Sequence, residues 1–372
     1  MTKQFLHADI VGSFLRPEDL KQAHADFAAG KLDAAGLKQV QNKDIQELVQ
    51  AEVAAGLKAV TDGEFSRSWW HLDFLWGLNG TERYDYNESY KFKGSKTRTD
   101  NVRLTGKIAY NPEHPFFEAF KYLQSVTPAG VVPKQTIPSP TMLFRDNWSD
   151  LALNFYDNWE DYLADLAQAY HQTIQHFYDL GCRYIQLDDT TWAFLIAKFL
   201  ETKDDFQEQA KYRKLAEDAV TVINGALKDL PEDLTVTTHV CRGNFKSTYL
   251  FSGGYDVVAK YLAQLNYDGF FLEYDTDRAG SFAPLKQIWN NRDNVRVVLG
   301  LVTSKFPELE SEDLLKERIQ AATEFVPLKN LALSTQCGFA STEEGNSLTS
   351  AEQWNKIKLV VKVAQDVWPV DW

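Results

Sequence analysis

Short strand-like runs alternating with longer helical ones set the strongest limit on what this chain can become. The runs are His7–Ser13, Ala59–Gly63, Val132–Ile137, Tyr184–Asp188, Thr235–Val240, Gly269–Tyr274, Arg296–Leu301 and Leu331–Thr335. Such alternation is the pattern of βα units around a parallel sheet, so the expected fold is α/β, a (β/α)8 TIM barrel. Between the runs, Trp159–Leu180 places Leu163, Leu166, Tyr170, Ile174 and Phe177 three or four residues apart, one apolar stripe suited to a barrel's outer face. Helices are also expected at Pro17–Ala29, Ala34–Ala55, Asp204–Lys228, Tyr255–Gln264, Glu312–Phe325 and Ser350–Val367, with Pro17 set in a first turn.

Thr81–Asn111 breaks the alternation. It is polar and rich in Tyr, Lys, Arg and Thr, and reads as a hairpin or long ordered loop inserted after strand two, where it would hang over the catalytic rim of a barrel or lie as a solvated surface hairpin. No repeat, low-complexity tract or linker divides the 372 residues. One domain spanning 1–372, with 81–111 inserted in it, is the expected organisation.

A formal net charge of -13, with no long Lys/Arg run, disfavours nonspecific attraction to nucleic acid or anionic lipid. The opening MTKQFLHADIVGSF lacks a secretory apolar core, and no stretch approaches the roughly 18 to 20 apolar residues of a membrane span. A cytoplasmic protein acting on a small soluble ligand is expected, with a homo-oligomer left open. Three Cys cannot all pair within one chain, and in a reducing compartment each is a core residue, a ligand or a nucleophile. Cys182, at the start of a strand, reads as core.

The other two cysteines fall at strand ends. His239 and Cys241 sit two apart in LTVTTHVCRGN, a spacing that puts both side chains on one face of an extended strand. Glu273 ends the next strand and Cys337 another. Strand C-termini of a parallel barrel converge on one rim, so the four could share an ion, and Cys, His and carboxylate suit zinc better than magnesium or calcium. Alone, each is more often structural. Two thiolates and a carboxylate would leave zinc a mild Lewis acid that lowers the pKa of a substrate thiol yet keeps electron density on sulfur. That favours chemistry on a thiol over hydrolysis.

With THVCRGN, EYD and STQCGF, the chain resembles the catalytic barrel of cobalamin-independent methionine synthase; IVGSF, DGEF, PSPTML and IQLDD extend the similarity along nearly the whole length. The resemblance implies a zinc-dependent methyltransferase that moves a methyl group from methyltetrahydrofolate, or from another small or protein-bound carrier, onto homocysteine to form methionine. It implies zinc ligands at His239, Cys241, Glu273 and Cys337, and an amino-acid pocket at Val11, Ser13, Glu64 and Asp188. Glu64 and Asp188 would take the ammonium, and Ser13 with nearby N–H groups the carboxylate; Asp189 is the alternative to Asp188.

Three departures put the methyl donor in question. Two-domain members carry an amino-terminal barrel that this sequence does not show. Their pterin-stacking Trp after PxTML is here replaced by FRDNW, leaving Phe144 or Trp148 as the stacking candidate, and the family's catalytic His near strand seven gives way to GLVTSKFPELES, with Lys305 the nearest cation. Lys305 would need burial to transfer a proton near neutrality. Trp69, Trp70, His71, Phe74 and Trp76 could wall the site, Arg16 and Arg67 could meet a donor's anionic groups, and Arg242 could set the site's field or meet the substrate carboxylate. Rival readings are alkyl transfer to a different thiol and a catalytically silent zinc barrel that binds an amino acid.

Overall fold

The computed structural model describes residues 3, 5–86, 91–92, 95–144 and 153–369. In chain order the strands are β1 (Ala59–Val60), β2 (Asn79–Asp85), β3 (Lys91–Phe92), β4 (Ser95–Lys96), β5 (Asp100–Ala109), β6 (Val132–Pro138), β7 (Tyr184–Asp189), β8 (Thr235–Val240), β9 (Asn244–Phe245), β10 (Thr248–Tyr249), β11 (Gly269–Glu273), β12 (Arg296–Val302) and β13 (Leu331–Thr335). Seven of them form one parallel sheet in the order β1-β6-β7-β8-β11-β12-β13. Every residue of β7, β8, β11 and β13 is buried, because helices cover one face and the barrel interior the other. This is the α/β barrel expected from the alternation.

The expected first strand, His7–Ser13, is corrected to a single parallel bridge between Ala8 and Leu333. Its ladder stops because the Asp9 carboxylate accepts from the N–H of Ile10 at 2.7 Å and Gly12 turns the chain at φ 135. The segment still fills the eighth position. On one side Asp9 N–H donates to the Leu333 carbonyl at 3.1 Å; on the other, Phe14 N–H donates to the Gly63 carbonyl at 3.1 Å and Thr61 Oγ1 to the Gly12 carbonyl at 2.6 Å. β1 also ends earlier than expected, since Thr61 N–H turns to the buried Glu52 carboxylate instead of a strand partner.

Inside the curl, Val11, Phe271, Val298 and Ala332 pack as one apolar layer. Next to it Lys134 Nζ is held by Asp9 Oδ1 at 3.1 Å and the Ile10 carbonyl at 2.5 Å, over the Phe271 ring. Cys182 is buried in the core as expected.

The helix at Trp159–Asp179 matches its expected stripe and starts on an Asn158 cap. Pro17 is the residue before the Glu18–Ala28 helix, not in its first turn, because its ψ is 154. Tyr255–Gln264 breaks at Val258 into a 3-10 turn and one short α turn. Helices at Pro115–Val126, Thr191–Glu201 and Pro284–Trp289 were not anticipated. TWAFLIAKFLE in particular is apolar on most sides, which hides its period.

The insertion after β1 is a hairpin in which β2 pairs antiparallel with β5, Thr81 opposite Leu104 and Asp85 opposite Asp100, and β3 pairs with β4. Val102, Leu104 and Ile108 anchor it to the core. Among the described residues no helix is long and apolar enough to cross a membrane.

Candidate metal centre

β8 and β11 run side by side and deliver three polar residues to one rim. His239 lies on β8 opposite Phe271, Cys241 follows the end of β8, and Glu273 is the last residue of β11. Cys337 comes two residues after β13 and so does not end that strand as expected. The chain beyond β13 stays beside β12 because Gln336 N–H donates to the Val302 carbonyl at 2.8 Å, and it passes so near Gly300 that a Cβ there would lie 2.8 Å from the Gln336 Cα.

All four residues are buried, and one ligand atom from each lies within 4.8 Å of the others. The two sulfurs are 3.8 Å apart, and His239 Nε2 is 3.9 Å from Glu273 Oε1. A tetrahedral ion with metal–sulfur bonds of about 2.3 Å has sulfur–sulfur edges of about 3.8 Å. His239 Nε2 is buried with no hydrogen-bond partner among the described residues, an arrangement that is costly unless something binds there. The donor set and its spacing therefore fit a zinc-sized soft cation. The hydrogen bond from Cys337 holds the Cys241 thiol well below the usual thiol range, and the same pairing pushes Cys337 up. The pair thus holds one proton readily and the second poorly.

Glu273 is supported from three sides. Oε1 accepts from Arg242 N–H at 2.8 Å and from Asn244 Nδ2 at 2.7 Å, while Oε2 accepts from Arg278 Nη2 at 2.7 Å. Asn244 Nδ2 also lies 3.6 Å from Cys241 Sγ. Asn244 begins the β9–β10 hairpin, whose turn residues Lys246 and Ser247 both have positive φ, the geometry of a tight two-residue turn. Burial raises the Glu273 carboxyl and the Cys241 charge adds to it, against Arg278 and Lys305. Asn244 and Arg278 have no signature in the sequence, because their positions come from loops and carry no periodic signal. Arg242 reaches Glu273 through its backbone N–H and through the field of its charge, while its guanidinium is held by the Gly253 carbonyl and the Tyr255 ring and does not line the cleft.

Lys305 lies close to the same charges, and its own opposes those of Glu273 and Cys337. It is buried, but its ammonium is bound to Asp275, and it does not line the cleft. Asp275 also accepts from Thr303 Oγ1 at 2.9 Å and Arg278 Nη2 at 3.1 Å, so Lys305 closes a charge network beneath Glu273.

A cleft opens beside the four residues; His239, Cys241 and Cys337 line it, and so do Val11, Ser13, Glu64 and Asp188. Asp188, the last but one residue of β7, is in register with His239, which is why a carboxylate sits beside the metal-type residues. Its Oδ1 accepts from Gln186 Nε2 at 2.7 Å, and burial pushes its carboxyl up to about 7 against the pull of His239. Asp189 instead accepts from Thr191 N–H at 2.7 Å and Thr141 Oγ1 at 3.0 Å at a helix start, and is not in the cleft wall. Glu64 stands at φ 64, a strained conformation for a residue with a Cβ, fixed by its N–H on Asp62 Oδ1 at 2.9 Å. Its Oε1 is 3.3 Å from Arg67 Nη1, while Oε2 is buried with no partner among the described residues. Burial raises the Glu64 carboxyl, with Arg67 and Arg16 opposing. Two buried carboxylates on one wall suit a cationic group such as an ammonium. Ser13 Oγ accepts from Ala340 N–H at 3.3 Å, and a Cβ on Gly338 would lie 2.0 Å from it, so only glycine fits after Cys337.

Trp69, Trp70 and His71 line the cleft with Met142 of PTML. Phe74 is core and Trp76 lies against Arg83. Arg16 and Arg67 do not reach the cleft: Arg16 donates to the Ala340 and Glu64 carbonyls and Arg67 to the Thr136 carbonyl. Phe144 is buried edge-on to Trp159, not stacked in the cleft, and Trp148 lies outside the described residues.

The sequence pattern of the family described as cobalamin-independent synthase, catalytic domain, matches residues 6–366. The uncharacterized protein YxjH of Bacillus subtilis is 46% identical over 369 residues, covering 97% of this chain and 94% of that protein. A methionine synthase of Saccharolobus solfataricus is 22% identical over 337 residues, covering 90% and 88%. Among solved structures, a Listeria monocytogenes protein described as a candidate vitamin-B12 independent methionine synthase superposes with a TM-score of 0.76 at 38% identity, covering 99% of each chain. A B12-independent methionine synthase from Shewanella, solved with selenomethionine, shares the fold with a TM-score of 0.69 at 19% identity, covering 98% of this chain and 99% of that one. With its barrel, its rim residues and this match along nearly its whole length, the chain belongs to the cobalamin-independent synthase catalytic-domain family.

Proposed function

We propose that this protein is a zinc-dependent methyltransferase that methylates the thiol of homocysteine to give methionine. The observation that carries the reading is the convergence of His239, Cys241, Glu273 and Cys337 on one point, three of them lining a cleft that also holds Glu64 and Asp188. Zinc bound by those four would lower the pKa of the substrate thiol and hold its sulfur as a nucleophile. Glu64 and Asp188 take the ammonium, and Ser13 with the backbone beside Val11 takes the carboxylate, so the sulfur is presented in one orientation. Trp69 and Trp70 exclude water from the opening. In the transfer the thiol proton leaves first, sulfur bonds to the methyl carbon, and the donor keeps the electron pair of the broken bond. The Shewanella relative, solved with selenomethionine, supports an amino acid of this shape in the cleft.

The donor is a methyltetrahydrofolate or another methyl carrier. Three free cysteines, two of them in the candidate site, support a cytoplasmic setting, and the catalytic unit is taken as one domain over 1–372. The test is a donor screen with zinc-loaded protein and labelled homocysteine, other thiols serving as competing acceptors, alongside Cys241→Ala. The variant is expected to lose bound metal by elemental analysis and to fall at least about a thousandfold in rate. Full activity in verified metal-free protein, or product from other thiols only, would overturn the reading.

A further inference from the structure

The four metal-facing residues are unequally free to let go. His239 Nε2 has no hydrogen-bond partner among the described residues, whereas Glu273 is provided for on both oxygens by Arg242 N–H, Asn244 Nδ2 and Arg278 Nη2. A carboxylate offers about four acceptor sites, and the protein alone fills three. Glu273 can therefore leave an ion without becoming an unpaired buried charge; His239 cannot leave without stranding its nitrogen.

Arg278 has further capacity. Its guanidinium is fixed by Asp275 Oδ1 at 3.1 Å and by the Tyr249 ring at 4.0 Å, and Asp275 is anchored in turn by Lys305 and Thr303. Its Nε and Nη1 are buried with no partner among the described residues. A planar guanidinium with spare donors, already bonded to one carboxylate oxygen, can take that carboxylate as a two-pronged pair.

We propose that Arg278 is the positioning residue that lets Glu273 yield its place to the substrate sulfur, by holding the displaced carboxylate and balancing its charge. This rests on reading the site as a zinc centre for a thiol. The two thiolates and the carboxylate already outweigh a doubly charged ion by one negative charge, and a third thiolate would add another in a buried setting. Arg278 opposes that build-up where the carboxylate is released. Its charge also opposes an incoming cation, so its removal shifts metal affinity and thiol affinity in opposite directions.

The experiment uses the full chain loaded with cobalt(II), with the parent, Arg278→Gln and Arg278→Lys compared. Metal affinity is read by chelator competition, and homocysteine is titrated through the sulfur-to-cobalt charge-transfer band. Arg278→Gln is expected to hold the metal at least as tightly as the parent yet bind homocysteine at the metal at least tenfold more weakly, and Arg278→Lys to recover most of that loss. Homocysteine binding by Arg278→Gln within threefold of the parent, or joint loss of metal and thiol in both variants, would overturn the proposal. A parent that takes up no cobalt or shows no sulfur band would instead sink the zinc reading on which it rests, and the proposal with it.

Discussion

Glu64 carries backbone strain together with a buried oxygen that has no hydrogen-bond partner among the described residues, and both are explained if a ligand's ammonium completes it. Glu64→Gln keeps the shape and removes the charge. It is expected to raise KM for homocysteine about ten- to hundredfold, the range for losing a charged hydrogen bond, with kcat nearly unchanged, as steady-state kinetics would show. An unaltered KM would remove Glu64 from the binding role. His239 and Cys241 were legible because two-residue spacing fixes a shared face on a strand, and Asp188 through the position of IQLDD in the family resemblance. The pairing of Lys305 with Asp275, 30 positions earlier, leaves no mark in local sequence. Arg278 and Asn244 were invisible for the same reason: their roles arise only once two loops fold over Glu273.

Among elements, the helix at Pro115–Val126 depends on one neutral imidazole. His114 Nδ1 accepts from Phe116 N–H at 3.2 Å and Nε2–H donates to the Phe74 carbonyl at 2.9 Å, so both ring nitrogens are used only in the neutral form. Burial pushes its pKa down from 6.5 to about 4, which the Phe74 bond only partly offsets. Between those values the unfolded chain binds the proton and the folded one does not. Stability therefore falls as pH drops through that window, by about 3 kcal/mol from this group. His114→Asn retains a capping oxygen without a titrating ring, and its urea midpoint should move less than the parent's between pH 7 and 4.5; equal movement would refute the assignment. This cap went unread because His is not a usual N-cap, whereas Asn158 and Asp205 announce their helices plainly. Strands buried on both faces were legible as apolar runs. The first was overread, since nothing in ADIVGSF shows that Asp9 would bond to its own neighbour.

At the scale of the molecule, the segment from His7 to Phe14 joins β13 to β1 and supplies Val11 and Ser13 to the cleft. Gly12 governs that path: its φ is 135, and a Cβ there would lie 2.7 Å from Thr136 Cγ2. Gly12→Val combines backbone strain with overpacking and should remove about 3 kcal/mol of stability, measured as a lowered thermal midpoint together with weakened homocysteine binding. An unchanged midpoint would show that the join is dispensable. The same join bears on how the protein is made. The ring nitrogen of His7 lies 2.7 Å from the carbonyl of Leu331, 324 residues later, so during synthesis the first of these two segments must wait for the second before either can settle. Until β13 has emerged the cleft lacks a wall, and a nascent chain has to be sheltered from aggregation through that whole interval.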